Sequence, residues 1–241
     1  MNGVDTAAVV RERPRLRADA RRNRERIVGA AREMFVEFGA DVPLDDVARR
    51  AGVGNATLYR HFADRRELVH EVVLSVLERI VVSGEAATAE EPDAFAALRR
   101  FAHGAAEEKV AAVCPLLSED IDKSHPDMVA MRERLDGVIG ALVGRAHASG
   151  QLRADVGAGD LMMVITHLAR PLPGTRCAAN EQFVHRHLDI MLDGLRDLHP
   201  TPLTGSAVEL RDLRGIGQAE SHADKLANRR SSGHANRDGN G

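Results

Sequence analysis

The sequence predicts an all-α protein, and three observations carry that prediction. Aromatic residues make up 3% of the chain, with no Trp and a single Tyr, so the residues that favour a pleated sheet are scarce. Ala, Leu, Arg and Glu abound instead, and all four are good helix formers. Apolar residues recur at spacings of three and four along most of the chain, and no run of alternating β-branched residues is long enough to make a sheet.

The length of 241 residues corresponds to one or two domains at about 150 residues each. With 44% hydrophobic and 29% charged residues, no window approaches the roughly 18 apolar residues of a membrane span. Met1 to Val10 offers only Ala7-Ala8-Val9-Val10, too short for the apolar region of a secretory signal. A cytoplasmic protein with no membrane partner is therefore expected. Cys114 and Cys177 stand alone, without CxxC spacing, so neither a disulfide framework nor a structural zinc site is expected. No cofactor and no metal is implied.

The elements follow in order. Residues 1–70 hold 14 Arg against 11 acidic residues, whereas residues 71–200 hold 13 basic against 20 acidic. Eight of those arginines fall between Arg11 and Arg26, and residues 1–20 read as a disordered Arg-rich arm suited to a phosphate backbone. From Arg21 a helix begins, with Ile27, Ala31, Met34, Phe35 and Phe38 on one stripe and Gly39 as its stop. Asp41-Val42-Pro43 starts a short helix, Leu44 to Ala51, with Asp45 and Asp46 at the positive end of its dipole. Gly52-Val53-Gly54 breaks it, and Asn55 is expected to cap a second short helix ending at Phe62. Asp64 with Glu67 marks the start of a long helix to about Val82, closed by Ser83-Gly84. Further helices are predicted at Asp93–Val113, Pro115–Asp122, Pro126–Ser149, Asp160–Arg170 and Asn180–Leu198. Residues 200–241 turn to Gly, Ser, Asn and Asp and read as a disordered tail in which only Ala207–Ile216 orders briefly. The expected division is a helix-turn-helix domain over 21–70 and a helical bundle over 71–199.

Two short helices joined by a glycine turn are the arrangement that lets a second helix lie in the major groove of DNA. Leu58 and Phe62 belong to the core by their spacing. The outer face then offers Asn55, Ala56, Thr57, Tyr59, Arg60 and His61. Arg forks onto guanine, Asn onto adenine, and a Thr methyl meets a thymine methyl, while small Ala56 permits close approach.

The string Ala51-Gly52-Val53-Gly54-Asn55-Ala56-Thr57-Leu58-Tyr59-Arg60-His61-Phe62, followed by Arg65-Arg66-Glu67-Leu68, closely resembles the signature of the tetracycline-repressor (TetR) family over about Arg21–Val73. The resemblance implies that Thr57 reads bases, that Tyr59 touches backbone phosphate, and that Arg65 occupies the place of a phosphate-binding lysine. Gly54 and Pro43 depart from the pattern, since hydroxyl residues are common at both places. Val42-Pro43-Leu44-Asp45-Asp46, Gly52-Val53-Gly54 and Pro115-Leu116-Leu117 are similar to the SbtR-like branch. The family implies a ligand-responsive repressor that binds a palindromic operator as a homodimer and is released by a small-molecule effector.

In such regulators the last two helices pair with their copies, which here would use Leu161, Val164, Ile165 and Leu168 with Val184, Leu188, Met191 and Leu195. An effector pocket is expected among the middle helices, at Phe101, His103, Met128, Met131, Met163 and His167, with Phe95 and Met162 nearby. An interaction module without DNA binding is the alternative class. An enzyme is the weakest reading: Cys114 with His125, Asp120 and Asp127 lacks a Gly-rich loop or oxyanion nest, and His185 and His187 do not share a helix face.

Overall fold

The computed structural model describes residues 6–39, 41–108, 121–169, 177–196 and 201–213. Among these the regular elements are α-helices, with one isolated antiparallel bridge between Leu152 and Arg196. The helices of seven or more residues are α1 (Thr6–Phe38), α2 (Leu44–Ala51), α3 (Asn55–His61), α4 (Arg65–Glu90), α5 (Ala94–Glu107), α6 (Pro126–Ala148), α7 (Ala158–Leu168) and α8 (Cys177–Gly194).

Helix α1 starts at Thr6 rather than Arg21, so most of the expected disordered arm is helix. A dense run of arginine reads as a solvated coil, yet Arg and Ala are both strong helix formers, and the helix continues through Pro14. The side chains of Arg11, Arg13, Arg15 and Arg17 lie outside the described residues. Ile27, Ala31, Met34 and Phe35 are buried as their spacing predicts, whereas Phe38 is 62% exposed. The helix ends there, because Gly39 takes a left-handed φ of 86° and donates its N–H back to the Phe35 carbonyl at 3.1 Å.

Helix α2 has Asp45 and Asp46 in its first turn and buries Val47, Ala48 and Ala51. Its end is a Schellman motif. Gly52 sits at φ 64°, ψ 37°, its N–H donates to the Arg49 carbonyl, and the Val53 N–H reaches the Ala48 carbonyl at 3.0 Å. Asn55 does not cap α3 as expected. It is the first helical residue, and Gly54 holds the cap position in extended geometry with no side-chain bond. Asp64 does cap α4, accepting from the Glu67 N–H at 2.9 Å, while the Glu67 carboxylate accepts from the Ala63 N–H at 2.7 Å. This reciprocal arrangement explains the sharp start of the long helix.

Helix α4 passes straight through Ser83-Gly84 and ends at Glu90, two turns beyond the expected stop. Gly84 is no breaker. It is buried, and a Cβ there would overlap Val138 Cγ1 and lie 3.0 Å from Phe101 Cδ2, so the glycine lets α5 and α6 close onto α4. Those three helices pack on one another, α1 packs on α2 and α4, and α8 packs on α5 and α7. One continuous core runs from Ile27 to Leu192. Burial of these aliphatic side chains is the main stabilising term, about 1.5–3 kcal/mol for each large one fully buried.

Helix α5 ends at Glu107, and residues 109–113 of the expected helix lie outside the described residues, as does nearly all of Pro115–Asp122. Helix α6 agrees with the prediction. Helices α7 and α8 start two and three residues early. The tail differs most. Residues 201–213 are described, with residues 210–213 helical, and they lie against α7. The Val208 carbonyl accepts from the Gly159 N–H at 2.7 Å and from the Asp160 N–H at 3.3 Å, while Val208 donates to the Asp160 carboxylate at 3.0 Å. These bonds satisfy the open amides of the α7 start. A Cβ at Gly159 would lie 2.6 Å from that same carbonyl. Arg153, 7% exposed, binds both oxygens of Asp155 at 2.9 Å and donates to the Thr201 carbonyl at 2.7 Å. Composition predicts disorder because it cannot foresee backbone partners of this kind. Residues 214–241 lie outside the described residues.

Candidate nucleic-acid interface

Helix α3 is a rod held from behind. Leu58 and Phe62 are fully buried, which fixes its rotation about its own axis. The side turned outward carries Asn55, Ala56, Tyr59 and Arg60, all exposed, with Thr57 and His61 half-buried at its margins. Tyr59, a large aromatic, is 50% exposed. Arg60 lies along the helix, donating from Nη2 to Thr57 Oγ1 at 3.0 Å and from Nε to the Ala56 carbonyl at 3.3 Å. Of the six α3 residues predicted to face DNA, four are thus open to solvent and two are partly covered.

Three arginines do something other than what their charge suggested. Arg24 donates to the His61 carbonyl at 3.0 Å, pairs with Glu71 at 2.8 Å, and stacks its guanidinium 4.5 Å from the Phe62 ring centre. Arg26 donates to the Ala51 carbonyl at 2.5 Å and the Gly52 carbonyl at 3.2 Å. Both close carbonyls left open at helix C-termini, where a cation also meets the negative end of the dipole. Arg65, expected to contact phosphate, turns inward. It donates to the Val42 carbonyl at 2.7 Å, lies 5.6 Å from the Phe35 ring centre, and leaves its Nη2 buried without a partner. The guanidinium is thus occupied with the main-chain carbonyl just before α2. Arg66, its neighbour, is exposed. The resemblance picks Arg65 by position alone, and both arginines stand in the first turn of α4.

The expected effector residues do not gather in one described cavity. Phe101 and Met128 are fully buried, and Met131 packs half-buried against the core. His103 joins α5 to α8 through a 2.7 Å contact between its Nδ1 and that of His185 and a 3.0 Å contact to Asp189. Arg99 adds bonds to Asp189 and Asp193 at 2.6 and 2.5 Å. The hydrogen bond from His103, together with Arg99, holds the Asp189 carboxyl below its usual range. Met163 is 39% exposed, and His167 is exposed with its Nδ1 against the Met163 carbonyl at 2.8 Å. A cleft of about 630 Å³ lies between α1 and α2, lined by Met34, Phe38, Pro43 and Arg49 among others, and one of about 440 Å³ lies between α1 and α4. None of the six expected residues lines either cleft.

Of the residues expected to pair two copies, Met191 is exposed and the others are buried or partly buried. Leu161, Ile165 and Leu188 are buried within the chain's own core, and Val164, Leu168, Val184 and Leu195 are partly buried against it. Phe183, Ile190 and Met191 on α8 are 48%, 56% and 42% exposed, alongside Met163 on α7. The heptad spacing located the inward stripe, and the outward one lies beside it.

Residues 27–72 match the family model described as bacterial regulatory proteins, tetR family. Residues 93–197 match that of the transcriptional regulator SbtR-like C-terminal domain. Helix-turn-helix transcriptional regulators of Staphylococcus aureus strains USA300 and N315 are 39% identical over 59 residues, 24% of this chain and 32% of theirs. The chain thus spans about a third of the length of the curated relatives it matches. Among solved structures, a TetR transcriptional regulator from Streptomyces coelicolor is 29% identical with a TM-score of 0.53, covering 74% of this chain and 99% of that one. A TetR regulatory protein from Mycobacterium vanbaalenii is also 29% identical, with a TM-score of 0.52 and coverages of 75% and 99%.

Proposed function

Because the chain belongs to the tetR family of bacterial regulatory proteins, we propose that it is a DNA-binding transcriptional regulator whose α3 enters the major groove of an operator. The observation that carries this reading is the outward face of α3. Asn55, Ala56, Tyr59 and Arg60 are exposed on it and Thr57 and His61 flank it half-buried, while Leu58, Phe62 and the Arg24 clamp hold the rod rigid behind it. Asn55, Thr57, Arg60 and His61 read base edges, and Tyr59 reaches a phosphate at the margin. Arg65 serves from behind, by fixing the α1–α2 loop. Helices α2 and α3 both lack side-chain caps, so their first amides are open to phosphate oxygens.

A single rod reads too few base pairs for tight binding, and a two-fold dimer supplies a second half-site. Met163, Phe183, Ile190 and Met191 form the apolar face through which two copies would pair, and the operator is then palindromic. Repression relieved by a small molecule is the output we assign, with the effector held in the body shared by α4, α5 and α6, where Phe101, Met128, Met131 and His103 sit. Such a ligand acts by binding one orientation of α4 better than another. Among the described residues no helix is long and apolar enough to cross a membrane, and an operator-binding protein works where the chromosome is, in the cytoplasm.

Electrophoretic mobility shift with duplex DNA from upstream of its own gene tests the proposal. A shift that weakens steeply with salt and is competed by the specific duplex but not by unrelated DNA supports it. Equal competition by both duplexes, with a folded dimer in hand, would overturn it.

A further inference from the structure

We propose that His70, His125 and Asp127 form a binding site for one divalent first-row transition ion, zinc(II) or a close analogue, that joins α4 to the start of α6. His70 lies in the second turn of α4, His125 holds the cap position of α6, and Asp127 stands in its first turn. One donor atom from each lies within 4.8 Å of the other two. The two imidazoles meet edge to face, with ring centres 4.5 Å apart and planes at 68°, and the Asp127 carboxylate is 3.8 Å from His125 Nδ1. Four-coordinate zinc with bonds of about 2.1 Å places its donors about 3.4 Å apart. The 4.8 Å limit exceeds that spacing by about 1.4 Å, the movement that ion binding requires of these side chains.

The observation that calls for a ligand is His70 Nε2, buried without a hydrogen-bond partner. Buried ring nitrogens are nearly always satisfied, and a cation supplies what a neutral imidazole nitrogen lacks. The core does not explain the residue, because Leu68, Val69, Val72 and Val73 carry the burial of that turn. His125 is only loosely engaged, its Nδ1 accepting from the Asp127 N–H at 3.3 Å. Asp122 stands close by. Bonds from the Ser124 hydroxyl and N–H, and then the nearby His125 and His70, hold its carboxyl below the usual range. Two imidazoles with one carboxylate favour transition ions over magnesium or calcium, which prefer all-oxygen sites. The site stands apart from the DNA-binding reading, since it uses no residue of α3. No sequence motif marks it, because 55 positions separate His70 from His125.

Full-length protein stripped with a chelator and exchanged into metal-free buffer tests the site by titration with cobalt(II), followed by displacement with zinc(II). The wild type is expected to bind one cobalt per chain, with a visible absorption band that zinc abolishes. His70→Gln and His125→Ala are each expected to weaken binding by at least about tenfold, because loss of a ligand exceeds the disturbance of an outer partner. His187→Ala, on the exposed side of α8, is expected to bind as the wild type does. Circular dichroism shows that each variant is folded, and His125, outside the core, is the change least able to disturb it. A wild type with no such band, or unchanged affinity in a folded His70→Gln or His125→Ala protein, overturns the assignment.

Discussion

Arg24 Nη1 donates to the main-chain carbonyl of His61 at 3.0 Å, so the residue that ends α3 is held by a side chain 37 positions earlier. The same guanidinium pairs with Glu71 and covers Phe62, tying α1, α3 and α4 at one point. Arg24→Ala is expected to lower unfolding free energy by about 1–2 kcal/mol, the worth of a charged hydrogen bond discounted for a side chain one-third exposed. Urea unfolding checks this. An unchanged midpoint would show that the clamp contributes nothing.

Tyr59→Ala separates binding from stability. Tyr59 is half exposed and lies outside the buried core, so its loss is expected to leave thermal unfolding within about 0.5 kcal/mol of wild type. DNA affinity should fall by about 1–3 kcal/mol, roughly five- to 150-fold. Loss of stability with binding intact would reverse the assignment of that face.

Arg65→Ala is expected to behave in the opposite way. Its guanidinium serves the Val42 carbonyl, and removing it strands a half-buried acceptor at a cost of about 1–3 kcal/mol. Stability should fall, and DNA binding should recover at low temperature, where the variant is folded. A variant as stable as wild type that no longer binds DNA would place Arg65 on the phosphate after all.

Gly84→Ala sets two rules against each other. Alanine is the better helix former by about 1 kcal/mol, but its Cβ would strike Val138 and Phe101, and overpacking costs about 1–3 kcal/mol. The clash should win, lowering the thermal midpoint. A raised midpoint would mean that α5 and α6 yield easily.

Hydrogen bonds from Arg153, and then from the Leu203 N–H, hold the Asp155 carboxyl down to about 2. A carboxylate depressed in the folded state stabilises it above the unfolded value, near 4, and that contribution is lost as pH falls from there toward 2. Limited pepsin digestion across that range should show cleavage in residues 201–213 rising as the acid is protonated. In Asp155→Asn the rise, normalised to a reference peptide digested in parallel, should be smaller than in the wild type, and an equal rise in that variant would assign the step elsewhere.

What was legible in the sequence is what depends on neighbours along the chain. Leu58 and Phe62 were placed in the core by spacing, Gly52 was read as a turn, and Asp64 with Glu67 announced the start of α4. The outward set on α3 followed from the same periodicity. Contacts set by distant backbone were not legible. The inward turns of Arg24, Arg26 and Arg65 depend on which carbonyls lie beside them, and a count of charges assigns them all to solvent or phosphate. Gly84 looked like a breaker because local propensity cannot reveal that two helices close onto it. The burial of Leu161, Ile165 and Leu188 was ambiguous for a related reason, since a heptad stripe fits an internal neighbour as well as a second copy.

The seat of Val208 on the first amides of α7 determines where this protein tolerates shortening. A chain cut before Thr201 strands the Gly159 and Asp160 amides and frees Arg153 from one of its anchors, beside the very helix that carries Met163. Removing everything after residue 213 leaves those bonds in place. Thermal midpoints of a truncation series should therefore break within residues 201–213 rather than decline evenly, making that short segment the keystone of the helix it caps.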